Sequence, residues 1–495
     1  MRLRLPRLRM RRVFLPVCAT GLLLVLAGLA WVLSREPYVQ TQRPPDGSAL
    51  RLEGAGYGTQ HRFVTGQLWQ WLFAPVLPLH LQCREMERFT TSVDLLGLLF
   101  SRESRTPGLP MRARVEAFDE HGCRIGKGNG KLRFDPALAL PGTGRGPSRA
   151  FSHAVMEAFP RRGPQIHLRL YAEGRPQPAA EFDVSNPVKD ELFTDWRPKP
   201  LPLTDQRDNV AVSLTGLTAG LTWDGLRAAG DPSLAPSMQT YEDLVRWRRL
   251  AGMPLLQPSD TTWTRADFRV VWRGQECGDW LPESLSLSDA TGNRVGFSTA
   301  GWASEDGVLR AIQPHGGDFS LLFPTPLCVQ EAAWKLQTRL TYTGLQDDFG
   351  TADLRWSVKN IPLPNKETIL PGRASATRKG IRLHLQDFSG SQAVLPDDPD
   401  YHVERPLVRV DVAPPEGELV QLALQAKDDQ GREVGCSSRG SSSTDEPEQR
   451  WYWELDVKPD AKQVHFTFAG WKSRSAEFLV HPATGFQSAS ARHLP

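Results

Sequence analysis

The chain is 495 residues long and 40% apolar, with fifteen tryptophans and a formal charge of +3; these values exclude a disordered chain and set a prior of about three domains. The charge is not spread evenly: residues 1–35 hold seven arginines and no acid, which leaves −4 on the remainder. A basic excess confined to one end orients a membrane segment rather than building a nucleic-acid surface, so DNA and RNA partners are excluded.

Residues 1–12 carry Arg2, Arg4, Arg7, Arg9, Arg11 and Arg12 and read as a basic cytoplasmic tail. Residues 13–33 contain no charge and are long enough to cross a ~30 Å hydrocarbon core as a helix, with Trp31 at the far interface. The segment is expected to be an uncleaved signal anchor, single-pass, with the N-terminus inside and the bulk of the chain outside. Cleavage after Ala30 would leave Trp31 at the new terminus, and lipidation at Cys18 would need the apolar run before it, not after. None of the six asparagines lies in an N-x-S/T sequon, which fits a bacterial periplasm or cell surface. Residues 34–47 read as a stalk.

Beyond the stalk, the pattern D-x-x-G-x-x-[VI]-G occurs three times: Asp119 to Gly126, Asp289 to Gly296 and Asp428 to Gly435. Each copy follows alternating apolar residues: Val115 and Ala117, Leu285 and Leu287, Leu422, Leu424 and Ala426. Period-two alternation marks strands. Asp and Gly supply the turn, and the Val or Ile restarts a strand, so each copy predicts a β-hairpin with about three turn residues. A second landmark pairs an aromatic with a Val two residues on, followed by proline: Phe182 and Val184, Trp356 and Val358, Phe478 and Val480. Opening strands around Leu50 and Leu52, Val212 to Leu217 and Ile381 to Leu385 form a third. Landmarks recurring in one order indicate tandem duplication. The predicted repeats are 48–190, 203–361 and 372–485, with a flexible tail at 486–495.

In strand pattern, residues 46–485 resemble the tandem immunoglobulin-like or fibronectin-III-like modules of bacterial envelope proteins. The antibody-type Cys…Trp…Cys signature is absent. The resemblance implies an all-β chain of three tandem Ig-like β-sandwich domains after a single N-terminal transmembrane helix, with a short helical insertion in the second domain.

Two segments depart from the repeat. Residues 67–78 include Trp69, Trp71 and Phe73. They either pack in the first domain or form a surface for the bilayer interface or a partner. The insertion 220–262 carries an amphipathic pattern with Tyr241, Leu244 and Trp247 on one face and Gly252 at its end. It caps the open end of its sandwich or presents an interaction surface. Proline-rich joints at 186–203 and 361–372 predict semi-rigid, extended spacers.

Five cysteines follow the anchor. In an oxidising compartment the economical pairing is Cys83–Cys123 and Cys277–Cys328 with Cys436 left over; otherwise all are free thiols. No C-x-x-C or paired histidine spacing marks a metal site. The acids at Asp347, Asp348 and Asp353, and at Asp397, Asp398 and Asp400, read as solvated turns. Ser298 in Gly296 to Gly301 lacks the second glycine of a nucleophile elbow, and Gly126 to Lys131 lacks the ending of a phosphate loop. No catalytic residue, cofactor or metal is expected. The function expected is non-enzymatic binding or scaffolding outside the membrane, with an envelope protein or glycan as partner. The alternatives are an accessory subunit of a membrane complex, and a carbohydrate-active enzyme using Glu242, Asp243 or Asp279.

Overall fold

The computed structural model describes residues 40–484, apart from 45–46, 66–83, 105–110, 135–147, 173–174, 176, 230–234, 236–237, 240, 244–245, 247–261, 299–308, 313–315, 345–348, 373, 392–393, 396–397, 403, 416–417, 419 and 444–448. The basic tail, the anchor 13–33 and the tail 486–495 lie outside the described residues, as do Trp69, Trp71, Phe73, Cys83, Leu244 and Trp247. No helix among the described residues is long and apolar enough to cross a membrane.

The described chain is all-β and sandwich-like. Its first part contains β1 (Ala49–Thr65), β2 (Arg84–Ser104), β3 (Met111–Phe118), β4 (Arg124–Phe134), β5 (Ser148–Met156), β6 (Gln165–Ala172) and β7 (Pro178–Ser185). One sheet runs β1-β2-β5 and the other β4-β3-β6-β7. Leu50, Leu98 and Phe100 of the first sheet meet Val115, Leu168 and Phe182 of the second in one core. The alternation read from sequence is what buries one side chain in two and leaves the other face wet.

The middle part contains β8 (Val210–Leu221), β9 (Trp263–Trp272), β10 (Trp280–Asp289), β11 (Arg294–Ser298), β12 (Asp318–Pro324), β13 (Trp334–Tyr342) and β14 (Leu354–Pro362). The last contains β15 (Ile381–Ser389), β16 (Leu407–Ala413), β17 (Val420–Asp428), β18 (Glu433–Ser443), β19 (Gln449–Asp456), β20 (Gln463–Lys472) and β21 (Arg474–Val480). The same order recurs: β8-β9-β12 faces β11-β10-β13, and β15-β16-β19 faces β18-β17-β20. β18 begins on β17 and ends on β19, so it ties the two last layers into one sheet.

The three D-x-x-G turns are one structure made three times. Asp119, Asp289 and Asp428 each donate their backbone N–H to the carbonyl four residues on, at 3.1, 3.1 and 2.9 Å. The glycine N–H returns to the Asp carbonyl at 3.0, 3.1 and 3.0 Å. One carboxylate oxygen of each Asp accepts the N–H groups of the second and fourth residues after it. Gly122, Gly292 and Gly431 sit at φ +76°, +89° and +79°, where any side chain is strained. This is a three-residue hairpin turn closed by a left-handed glycine. The register beyond it also repeats: Ala117 faces Ile125, Leu287 faces Val295 and Ala426 faces Val434.

The closing strands are where the copies part. β7 pairs with β6 in its own sandwich. β14 does not pair with β13; it pairs with β20. β21 does not pair with β20; it pairs with β13. The second and third sandwiches have therefore exchanged closing strands. Trp356 and Val358 fill the third core, and Phe478 and Val480 fill the second. The ranges 203–361 and 372–485, drawn from order along the chain, each end on the strand that completes the other core.

The two crossing segments run side by side and are clasped. Trp471 Nε1 donates to Thr351 Oγ1 at 3.3 Å, and Lys472 N donates to Asp353 Oδ2 at 2.9 Å. Arg474 holds both oxygens of Asp353, at 2.9 and 3.0 Å, and its side chain is only 6% exposed. Trp272, Trp280, Tyr342 and Trp471 form a continuous aromatic chain beneath, with centroids 4.9–5.5 Å apart along Trp280, Tyr342 and Trp471. The proline-rich joints are laid against the sheets and do not span free space. Lys199 N donates to Leu479 O at 3.0 Å, and Leu363 N to Lys462 O at 3.0 Å.

The exchange has a crossed signature. Phe478→Ala removes a side chain 2% exposed in the second core and should cost about 3–5 kcal/mol. Hydrogen exchange should accelerate in β13 and not in β20, although residue 478 follows β20 in sequence. Trp356→Ala, which unstacks Phe468 at 5.1 Å, should do the reverse. Exchange that rises in each strand's sequence neighbour instead would contradict the pairing.

Candidate functional site

Two of the three identical turns meet at the contact between the first and second sandwiches. Position four after the Asp carries Cys123, Asn293 and Arg432 in the three copies, and each reaches a different partner. Arg432 bonds Asp428 and Asp460 within its own sandwich. Asn293, 1% exposed, points across the joint. Its Oδ1 accepts from Phe159 N at 3.0 Å and from Arg161 Nε at 3.2 Å. Its Nδ2 donates to Asp289 Oδ2 at 3.0 Å.

Arg161 is the centre of this joint. It is 8% exposed, its Nη1 donates to Tyr57 Oη at 3.2 Å and Thr291 O at 3.4 Å, and its guanidinium lies 4.8 Å from the Phe159 ring centroid. Asn186, the residue after β7, fixes the segment from below: its Nδ2 donates to Arg161 O at 2.9 Å and Gly163 O at 2.8 Å. Gly292 also lies against the joint: a Cβ there would be in contact with Arg161 Nη1 at 3.4 Å. Arg162 donates to Glu331 at 2.8 Å across the same joint. Burial pushes the Glu331 carboxyl above the usual range, with Arg162 pulling the other way. These groups satisfy one another, as buried polar groups must. Their chemistry is positional.

A cleft of about 510 Å³ opens beside the joint. Glu157 comes from the first sandwich; Glu283, Ser284, Ser286, Arg294 and Arg339 come from the outer face of β10, β11 and β13. Glu283 is the extra residue at a β-bulge between Pro282 and Ser284, which turns its side chain out of the ladder's rhythm. Burial raises its carboxyl above the ordinary value, and Arg339 opposes the shift. Glu283 Oε2 and Arg339 Nε are buried and make no hydrogen bond to another described group. The cleft is lined by the carboxylates of Glu157 and Glu283, the guanidinium groups of Arg294 and Arg339, and the hydroxyls of Ser284 and Ser286.

The residues singled out from sequence are dispersed. Tyr241 is 6% exposed and packs with Trp223 and Trp263 at 5.2 and 5.5 Å, in a small core with Leu226, Met238 and Leu322. It caps its own sheet, so its ring is not a free surface. Glu242 accepts from Trp223 Nε1 and Arg227, whose bond holds its carboxyl below the usual range. Asp353 is the clasp described above. Cys277 and Cys328 are both free and not bonded to each other; the thiol beside Cys328 is Cys123. The Cys83–Cys123 pairing falls outside the described residues. Sequence reasoning passed over Arg161, Asn293, Glu283 and Arg474. Asn293 stands at position four of a turn whose Asp and Gly repeat, and its reach to Phe159 and Arg161 has no local signal in the sequence.

No family model matches the chain, and no curated protein matches it. Among solved structures, a conserved domain protein from Bacillus anthracis is 9% identical over 54% of this chain and 75% of its own, with a TM-score of 0.15. A marsupial T cell receptor is 8% identical over 77% of this chain and 94% of its own, with a TM-score of 0.12. Scores this low carry no argument.

Two changes test the site. Asn293→Ala orphans the buried Phe159 N–H and should cost about 1–3 kcal/mol, while proteolysis at the joint increases; an unchanged melting curve would refute the role given to Asn293. Glu283→Gln should raise the melting temperature at pH 7–8. The folded carboxyl titrates above its unfolded value, so its stabilisation is present below the unfolded pKa and is lost as pH rises through the folded one. Below pH 4 the two proteins should melt alike.

Proposed function

We propose that this protein is a membrane-anchored, extracytoplasmic scaffold: three tandem immunoglobulin-like modules, the last two completed by each other's closing strands, held out by a helix at 13–33, and non-enzymatic. The observation that carries this reading is the use of buried polar groups to fix both joints. Arg161 and Asn293 join the first sandwich to the second, and Asp353 and Arg474 clasp the exchanged strands of the second and third. Linked modules contacting each other weakly move independently. The Arg161–Asn293 hydrogen bond, the Asp353–Arg474 ion pair and an exchanged pair of strands oppose that motion, as suits a chain that holds partners at fixed separation. The shared order of the main strands in the three parts supports the immunoglobulin-like assignment. The uncharged run 13–33 behind six arginines supports the anchor.

The partner is an envelope protein or a glycan, and the cleft at Glu283 and Arg339 suits a polar chain of the second kind. Detergent extraction of the tagged full-length protein, followed by affinity purification and mass spectrometry, tests the reading. Recovery in the membrane fraction is expected, and deletion of 13–33 should release the protein. A stoichiometric membrane partner would make it a complex subunit. Recovery from the soluble fraction with 13–33 intact would refute the anchor.

A further inference from the structure

Cys123 and Cys328 lie in different sandwiches and far apart in sequence, yet their sulfurs and an Asp119 carboxylate oxygen all fall within 4.8 Å of one another. Cys123 sits at position four of the first D-x-x-G turn, where the backbone is pinned: its N–H is held by Asp119 Oδ1 at 2.7 Å, and its carbonyl accepts from Asp119 N at 3.1 Å. Cys328 sits on the segment that follows β12; its carbonyl accepts from Trp334 Nε1 at 3.0 Å and from Glu331 N at 3.2 Å. Its thiol faces Asp119 Oδ2 at 3.8 Å. Two thiols on two braced segments, facing each other across a joint, are placed for a cross-link.

We propose that Cys123 and Cys328 are a redox pair that forms a disulfide stapling the first sandwich to the second. The reaction is thiol–disulfide exchange with a small or protein disulfide. The Cys123 thiolate attacks one sulfur of the oxidant, and one thiol of the oxidant leaves. Cys328, giving up its proton, then attacks the Cys123 sulfur of the mixed disulfide and expels the second thiol. One S–S bond breaks and one forms; two electrons and two protons pass from the two cysteines to the oxidant.

The roles follow from the surroundings. Cys123 is half-buried, and the S–H of Cys328 beside it draws its pKa down, so it is the attacking thiolate. Cys328 is buried and its thiol is pushed up, first by the Cys123 sulfur and then by burial, so it acts second. Neither Cys277 nor Cys436 lies in the group formed by Cys123, Cys328 and Asp119, and burial raises both thiols, Cys436 to about 11. The staple would close a loop of roughly 200 residues, the long-loop case in which a cross-link restricts the unfolded chain most.

The test uses the purified full-length chain equilibrated in oxidised and reduced glutathione buffers, then alkylated and mapped by mass spectrometry. It is independent of where the protein resides, so its failure and the failure of the anchor reading are separate. The expected result is a peptide pair joined through Cys123 and Cys328 under oxidising conditions. Cys277 and Cys436 should be alkylated throughout, and the oxidised protein should melt about 5 °C higher. Cys328→Ser and Cys123→Ser should each abolish the joined peptides. If either variant misfolds, the wild-type map decides alone. Full alkylation of both cysteines at every ratio would overturn the proposal. So would a Cys83–Cys123 bridge, or one equivalent of zinc shielding both thiols.

Discussion

The Asp353–Arg474 pair is the constraint on which the second and third sandwiches both depend. It sits where two strands of chain cross in opposite directions, one carrying β14 into the third core and one carrying β21 into the second. A buried charge is tolerable only when paired and hydrogen-bonded, and here the carboxylate accepts two guanidinium bonds and one backbone N–H. Removing either partner would strand the other, at about 3–5 kcal/mol. The cost would fall on two cores at once, because each crossing segment ends in the other's sheet. Arg474 also approaches Asp208, at the turn before β8, so the clasp reaches the first strand of the second sandwich.

The joint between the first and second sandwiches is built differently. Among the described residues no strand crosses it. Instead the fold has taken one local device, the aspartate turn, and given its fourth position a different side chain in each copy. Where that residue is Arg432 it returns to its own hairpin; where it is Asn293 it satisfies a neighbour's backbone; where it is Cys123 it meets a second thiol. The turn can bear such variation because its own stability comes from the Asp carboxylate and the glycine, not from position four.

Much of this was legible in the residues. The hairpins were readable because their determinants are local: an Asp that bonds its own backbone, a glycine with positive φ, and alternation on either side. The closing strands were readable for the same reason, as Phe182, Trp356 and Phe478 announce a buried face. Their partners were not. Pairing β14 with β13 or with β20 leaves the same alternation and the same order of landmarks, so one chain's pattern is consistent with both. The choice is made by contacts distant in sequence, Asp353 with Arg474 and Thr351 with Trp471, which no short window contains. Tyr241 was ambiguous in another way. An apolar helical face looks alike whether it meets a partner or its own sheet, and here it meets Trp263.

The exchange also sets a timetable for synthesis. The first sandwich has all its described strands once residue 185 has emerged. The second has its own strands through β13 by residue 342, yet the edge of β13 stays open until β21 is made. For that interval an unpaired strand edge beside Trp334 and Leu336 is exposed, the kind of surface that recruits wrong partners during folding. The third core meanwhile forms around a strand supplied early, β14. A chain made from its N-terminus would therefore complete its modules in the order first, third, second.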